Sequence, residues 1–285
     1  MLRALSLAWL TVGETDALTL VRAAAESGFG RIGLKVIPNP GSVAQPLAEN
    51  APMVAKIRRA LSEEGISVLE MGGVWFTPSL DPRQLKPSLE VGAQLGARFV
   101  IAAAGDDCRE RLTRNIASMC ELAEPFGLKV AIEFIAYSPI ATLKDACEVS
   151  AAIGHPGCGI VIDALHLARS GTRISEIASV PPGSIHLAHL CDAPRVPPAD
   201  LRAESRAQRL PPGAGELPLF AFMDALPPEL PLEVEAPCAS LAQLHPIERA
   251  RRVAAATRNF LESYRAAGRA AGKRNARKET SWNDG

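Results

Sequence analysis

The sequence predicts an α/β fold, a closed (β/α)8 TIM barrel, from three observations. Eight short apolar runs alternate with longer stretches of helical period, the pattern of repeated βα units on a parallel sheet. Several of those stretches end at a glycine just before the next run, where a helix places a left-handed cap. The chain, at 285 residues, has room for one such barrel, which takes about 250 residues.

The strand runs are Leu2 to Trp9, Arg31 to Val36, Ile66 to Met71, Arg98 to Ala104, Lys129 to Phe134, Gly159 to Asp163, Ser184 to Leu190 and Pro231 to Glu235. Phe99 to Ala104 and Gly159 to Ile162 are nearly continuous in small and branched apolar residues, as strands buried on both faces should be. Between the runs, Thr15 to Ser27, Pro52 to Glu64, Leu85 to Leu95, Asp107 to Phe126, Thr142 to Ile153 and Pro246 to Tyr264 carry apolar residues at three and four spacing. Gly28, Gly65, Gly96, Gly127 and Gly154 mark their ends. The sixth helix, near Ile174 to Ser179, and the seventh, Leu217 to Leu226, give the weakest signals. An open doubly wound sheet would need a dinucleotide or phosphate loop to be functional, and no Gly-x-Gly-x-x-Gly follows any strand.

Residues 1–265 are read as one barrel domain. Residues 266–285 are read as a basic, disordered tail, because the segment from Arg265 to Lys278 sets six basic residues among Ala and Gly. Elsewhere charge is balanced, with 31 basic and 31 acidic residues, so no net field points to nucleic acid or an anionic membrane. The six cysteines form no Cys-x-x-Cys pair and fit free thiols of a reducing cytoplasm. Met1 to Val12 has the outline of a short signal peptide, but a first barrel strand has the same outline and is the reading adopted. A cytoplasmic location is expected.

The informative residues close four successive strands. Glu133 follows Val130 to Ile132, Asp163 follows Ile160 to Ile162, His189 ends the run from Ile185, and Glu235 ends Leu232 to Val234. Carboxyl ends of barrel strands are where active sites form, so these side chains can converge above the packed interior. Three carboxylates brought together without a counter-charge repel and lose hydration, and a divalent cation removes that penalty. Glu233 shares a strand face with Glu235 and competes with it as a ligand. Glu235 is preferred because Ala236 and Pro237 put it at the rim. His186 has the opposite parity to His189 and should point toward the helices as a packed histidine. Three carboxylates with one imidazole make a hard donor set that suits Mn²⁺ or Mg²⁺, with Co²⁺ or Zn²⁺ next.

At these residues the chain resembles the xylose-isomerase-like TIM-barrel superfamily of sugar-phosphate isomerases and epimerases. The resemblance spans roughly residues 1–265 and rests on the order and spacing of VAIEF (130–134), VIDALHLARSG (161–171), HLCDA (189–193), LPPGAGELP (210–218) and PLEVEAP (231–237). It implies one metal ion held by Glu133, Asp163, His189 and Glu235. It also implies an isomerase or epimerase of a keto sugar or related polyol ketone, working by proton abstraction and a metal-stabilised enediolate. Glu133 and Glu235, three strands apart, can flank a bound substrate, one taking a proton and the other returning it. His166 sits in the turn after strand six and is expected to touch the substrate or orient a ligand. Arg169 and Arg209 are candidates to clamp a substrate carboxylate or phosphate. Trp75, with Trp9 and Phe76, lies near strand ends as a candidate pocket wall. Asp192 is expected to fix His189 or a substrate hydroxyl, and the proline-rich connection from Pro194 to Gly215 to form a lid.

The competing reading is a metal-dependent dehydratase, a lyase, of a cyclic β-hydroxy ketone such as 3-dehydroshikimate or an inosose. It needs the same metal enolate. One dehydratase type in the family has His two residues after the strand-five Glu, where this chain has Ile135. A repair endonuclease needs many more histidines than five and a basic face. A binding subunit without turnover is the third class. The expected partner is a small-molecule ketone, with no nucleic acid or membrane. Such barrels often pair, so a homo-oligomer stays open.

Overall fold

The protein is described by a computed structural model covering residues 4–37 and 47–280, with side chains to 268. Eight parallel strands close into a barrel in sequence order. They are β1 (Ser6–Ala8), β2 (Arg31–Gly33), β3 (Ser67–Phe76), β4 (Phe99–Ala104), β5 (Lys129–Glu133), β6 (Cys158–Asp163), β7 (Ile185–Leu190) and β8 (Leu232–Val234). Closure is made by β1 on β8, with Ser6 opposite Glu233 and Leu7 opposite Val234. The expected strand-one residues Leu2 and Arg3 lie outside the described residues.

Around the barrel run α1 (Trp9–Val12), α2 (Ala17–Ser27), α3 (Ala51–Glu64), α4 (Lys86–Gln94), α5 (Arg109–Ala123), α6 (Leu143–Ile153), α7 (Ala164–Arg169), α8 (Leu201–Ala207), α9 (Leu219–Ala225) and α10 (Pro246–Thr280). Their boundaries follow local chemistry. Asp16 caps α2 through the Thr19 N–H, and Thr142 with Asp145 forms a reciprocal capping box on α6. The five glycines expected to end repeats all have φ between +63° and +85°. The sixth helix divides into α7 and a 3₁₀ turn over Ile174–Ser179. Residues 266–280 continue α10 as helix, while 281–285 lie outside the described residues. No helix among the described residues is long and apolar enough to cross a membrane.

The main core lies between strands and helices. Leu69, Phe99, Ile101, Ala131, Val161 and Leu187 form a separate buried cluster drawn only from β3 to β7, which is the inward face of the barrel. On the β8–β1–β2 side the interior is polar instead, with Ser6, Glu70 and Glu233 all buried. Three register shifts, in the β2–β3, β3–β4 and β6–β7 pairings, interrupt strict alternation. Between β6 and β7, Ile160 faces Ile185 while Val161 faces Leu187, so His186 is an extra residue. The expectation that His186 points toward the helices is therefore corrected. Its ring stacks on Phe99 of the inward cluster at 5.5 Å, in space left by Gly159, where a Cβ would collide with the imidazole.

Candidate metal centre

Glu133 is the last residue of β5, and Asp163 is the last of β6. Asp163 also caps α7 by accepting the His166 N–H at 2.9 Å, which fixes its carboxylate at the start of the helix. His189 sits opposite Asp163 on β7, and Glu235 follows β8 with its N–H on the Leu190 carbonyl at 3.2 Å. One potential ligand atom from each of the four lies within 4.8 Å of all the others, so the four residues form a group able to hold a metal ion. Nδ1 of His189 is 3.2 Å from Glu133, 3.5 Å from Asp163 and 3.6 Å from Glu235.

The buried polar atoms test that fit. Glu133 Oε1 and both ring nitrogens of His189 have no hydrogen-bond partner of acceptable angle among the described residues. Buried polar atoms without partners are rare, and a cation in the four-residue group accounts for two of them, Glu133 Oε1 and His189 Nδ1, while His189 Nε2 faces Glu233 at 4.0 Å. The charges agree. Burial lifts Glu235 above the usual carboxylate range. Burial acts the same way on Glu133, but the adjacent His189 outweighs it and holds Glu133 low. For Asp163, Arg209, His166 and His189 together overcome burial and hold the group well below that range. His189 itself is pushed well up, because Glu235, Asp163 and Glu133 outweigh the burial of an imidazolium. A cation must therefore displace a proton from His189 in order to bind.

Arg209 is buried against this group rather than standing free above it. Its guanidinium donates to Asp163 at 2.6 Å and pairs with Glu235 at 3.0 Å, and its Nε donates to the Ser205 carbonyl at 2.7 Å. Arg169, expected to face the substrate, does not line the cavity. Its guanidinium binds Glu204 through two bonds, at 2.6 and 2.8 Å, and the Pro194 carbonyl at 2.8 Å. Both side chains of that pair are almost fully buried, so Arg169 anchors α8. Asp192 is also reassigned. It accepts the N–H groups of Ala193, Gly213, Gly215 and Leu217, between 2.8 and 3.1 Å, so it organises the 211–217 loop instead of holding His189. His166 and Trp75 line the cavity over the four-residue group, as do Trp9 and Tyr137, whereas Phe76 packs in the core. The long connection folds over this mouth, with α8 giving Ser205 and Arg206 to its wall.

Beneath the group lies a pair of acids, one of which strand alternation conceals. Glu233 is not in the four-residue group; it points into the barrel, hydrogen-bonded to Ser6. Glu70 meets it there, accepting the Gly72 N–H. Against β2, Ile32 pairs with Val68 and Gly33 with Glu70, so Leu69 is an extra residue and Glu70 turns inward beside it; the acid followed by Gly72-Gly73 in an apolar run is its only sequence signal. Gly33 makes the space, since a Cβ there would strike both carboxylates. Burial raises both acids, Glu233 to about 7; repulsion from Glu233 adds to it at Glu70, and repulsion from Glu235 adds to it at Glu233. An unfolded Glu ionises near its ordinary value while the folded one keeps its proton to about 7, so stability falls as pH rises between those values. Glu233→Gln is expected to abolish on the order of 2 kcal/mol of that fall. Urea unfolding of ion-free protein at pH 5 and pH 8 checks this; parallel pH slopes in wild type and variant would refute it.

The fold and the four strand-end residues define a TIM barrel with a candidate metal centre at the carboxyl ends of its strands. The chain belongs to the xylose isomerase-like TIM barrel family, whose model matches residues 21–264. Over 153 residues it is 24% identical to an inosose isomerase of Bacillus licheniformis and 30% identical to one of Halalkalibacterium halodurans. Each match covers 50% of this chain, and the chain spans about half the length of those relatives, 54% and 53%. Among solved structures, the IOLI protein with a bound zinc atom superposes with a TM-score of 0.76 at 20% identity, covering 91% of this chain and 98% of that one.

Proposed function

We propose that this protein is a divalent-metal-dependent isomerase or epimerase of a keto sugar or related polyol ketone, using Mn²⁺ or Mg²⁺ held by Glu133, Asp163, His189 and Glu235. The observation that carries the reading is that Glu133 and Glu235, three strands apart, each offer a carboxylate oxygen to one group of potential ligand atoms within 4.8 Å of one another. Two acids set on different sides of a bound substrate can divide the work of base and acid. When bound, the ion supplies positive charge that polarises the substrate's ketone. Glu133, held ionised, takes the proton from the carbon beside that ketone. Glu235, held nearer protonation by burial, delivers a proton to the opposite side. Asp163 is kept ionised by Arg209 and serves as a ligand throughout. His166 and Trp75 wall the substrate, and Arg209 presents its guanidinium beside the reacting carbons. The inosose isomerase relatives, named for a polyol ketone, support this substrate class.

The test is proton exchange. In D₂O with Mn²⁺ or Mg²⁺, candidate ketones should gain deuterium at the carbon beside the carbonyl, followed by NMR, and lose this on chelation with EDTA. No exchange into any keto sugar or inosose with the ion present would sink the proposal. A conjugated product with new ultraviolet absorbance would assign the dehydratase reaction instead.

A further inference from the structure

We infer that the substrate carries an oxyanion, a carboxylate or phosphate, held at the mouth by Arg206, Arg202 and Lys35. The inference rests on the four-residue group being the place where the substrate reacts.

Within the centre the charges would cancel with a divalent ion bound, because three carboxylates face Arg209 there. The rim adds only cations. Arg206 stands on the cavity wall. Arg202, one turn earlier on α8, places its guanidinium 5.0 Å from the ring centre of Tyr137 and 5.9 Å from that of Trp75, two further wall residues. Lys35, two residues past β2, holds its ammonium 4.1 Å over the ring of the wall residue Trp9.

Among the described residues none of the three is within ion-pair distance of a carboxylate, whereas Arg169 and Arg209 are fully paired. Residues 38–46, which follow Lys35 in sequence, contain no acid. Like charges at four-residue spacing on one helix repel, and here they are imposed on a fixed support. α8 is fastened by the buried Arg169–Glu204 pair, by Ser205 on the Tyr137 hydroxyl at 2.5 Å and by the Arg209 bond to the Ser205 carbonyl.

Burial lowers the Lys35 pKa to about 8; the exposed Glu14 opposes that shift, and Arg206 adds to it to a smaller extent. Cations at the edge of a cavity with no carboxylate in ion-pair contact make a site for an anion, and Arg offers two parallel donors to a carboxylate or phosphate. A group bound there, away from the reacting carbons, supplies orientation for proton transfer at the centre.

The full chain loaded with Mn²⁺ tests this by intrinsic fluorescence, since two of its three tryptophans, Trp9 and Trp75, line the cavity. Two probe pairs separate the sources of the anion: D-ribulose 5-phosphate against D-ribulose, and 3-dehydroshikimate against its methyl ester. At least one anionic probe is expected to bind about tenfold or more tightly than its neutral partner, corresponding to about 1.4 kcal/mol. The R202Q/R206Q variant should lose most of that preference, and K35Q should lose part of it. Equal binding within both pairs, no binding by any probe, or a preference that survives in R202Q/R206Q overturns the inference. Anion preference without deuterium exchange would fault the proposed reaction and leave the anion site standing. Exchange without anion preference would fault the anion site alone.

Discussion

Glu133→Gln and Glu235→Gln are each expected to lower turnover by about 10²- to 10⁴-fold, the range for removing a positioned acid or base. Gln keeps an oxygen of similar position, so the cavity shape survives. What it loses is a negative charge toward the ion and the ability to carry a proton. Loss of metal alone would also lower activity, so metal content after dialysis must accompany the rate. If the variants retain metal and lose turnover, proton handling is the cause. The two substitutions should also differ. Glu133→Gln removes the group held ionised and should abolish deuterium exchange itself. Glu235→Gln removes the group lifted by burial, so exchange on the Glu133 side should outlast loss of net conversion. Near wild-type turnover in either variant would defeat the acid and base assignment.

The barrel was legible because its strongest signal is local. A strand buried on both faces is an unbroken apolar run, and β4 and β6 are such runs, with Asp163 closing β6. The four ligand candidates were legible for the same reason, since a polar residue closing an apolar run stands at the strand end. Residues whose direction depends on pairing between strands were not. One extra residue in β7 turns His186 inward, and another shift turns Glu70 inward, and neither leaves a mark on composition. Glu233 and Glu235 share parity, and what separates them is Ser6 on a strand more than two hundred residues away. Arg169 and Arg209 looked equivalent as loop charges. Their partners decide otherwise: Glu204 lies on α8, a helix within a connection that reads as proline-rich loop, while Asp163 and Glu235 lie in the centre.

Arg209→Met is expected to destabilise the ion-free protein by about 3–5 kcal/mol, the scale for stripping one partner from a buried ion pair. Asp163 is fully buried, and its 2.6 Å bond to Arg209 is the main force opposing its desolvation. Met fills similar length without charge, so the variant leaves Asp163 and Glu235 facing Glu133 with only His189 to compensate. Acid should expose the cause. Asp163 is depressed in the fold, so its contribution is present above the ordinary Asp value and is lost as pH falls toward the depressed one. The wild type should therefore lose stability on acidification more steeply than Arg209→Met, and the two should converge at low pH. Saturating Mn²⁺ should narrow the gap at neutral pH, because a cation bound by the folded chain alone stabilises it and replaces the missing positive charge. Urea unfolding with and without Mn²⁺, at pH 7.5 and over a pH series carried below the ordinary Asp value of 3.8, measures all of these. A loss below about 1 kcal/mol in ion-free protein at pH 7.5 would mean that Asp163 does not carry its charge in the fold, because a buried carboxylate stripped of its partner costs several times that. The same result would remove the reason for assigning Asp163 a purely ligand role, since an acid free to take a proton could share the transfer given to Glu133 and Glu235.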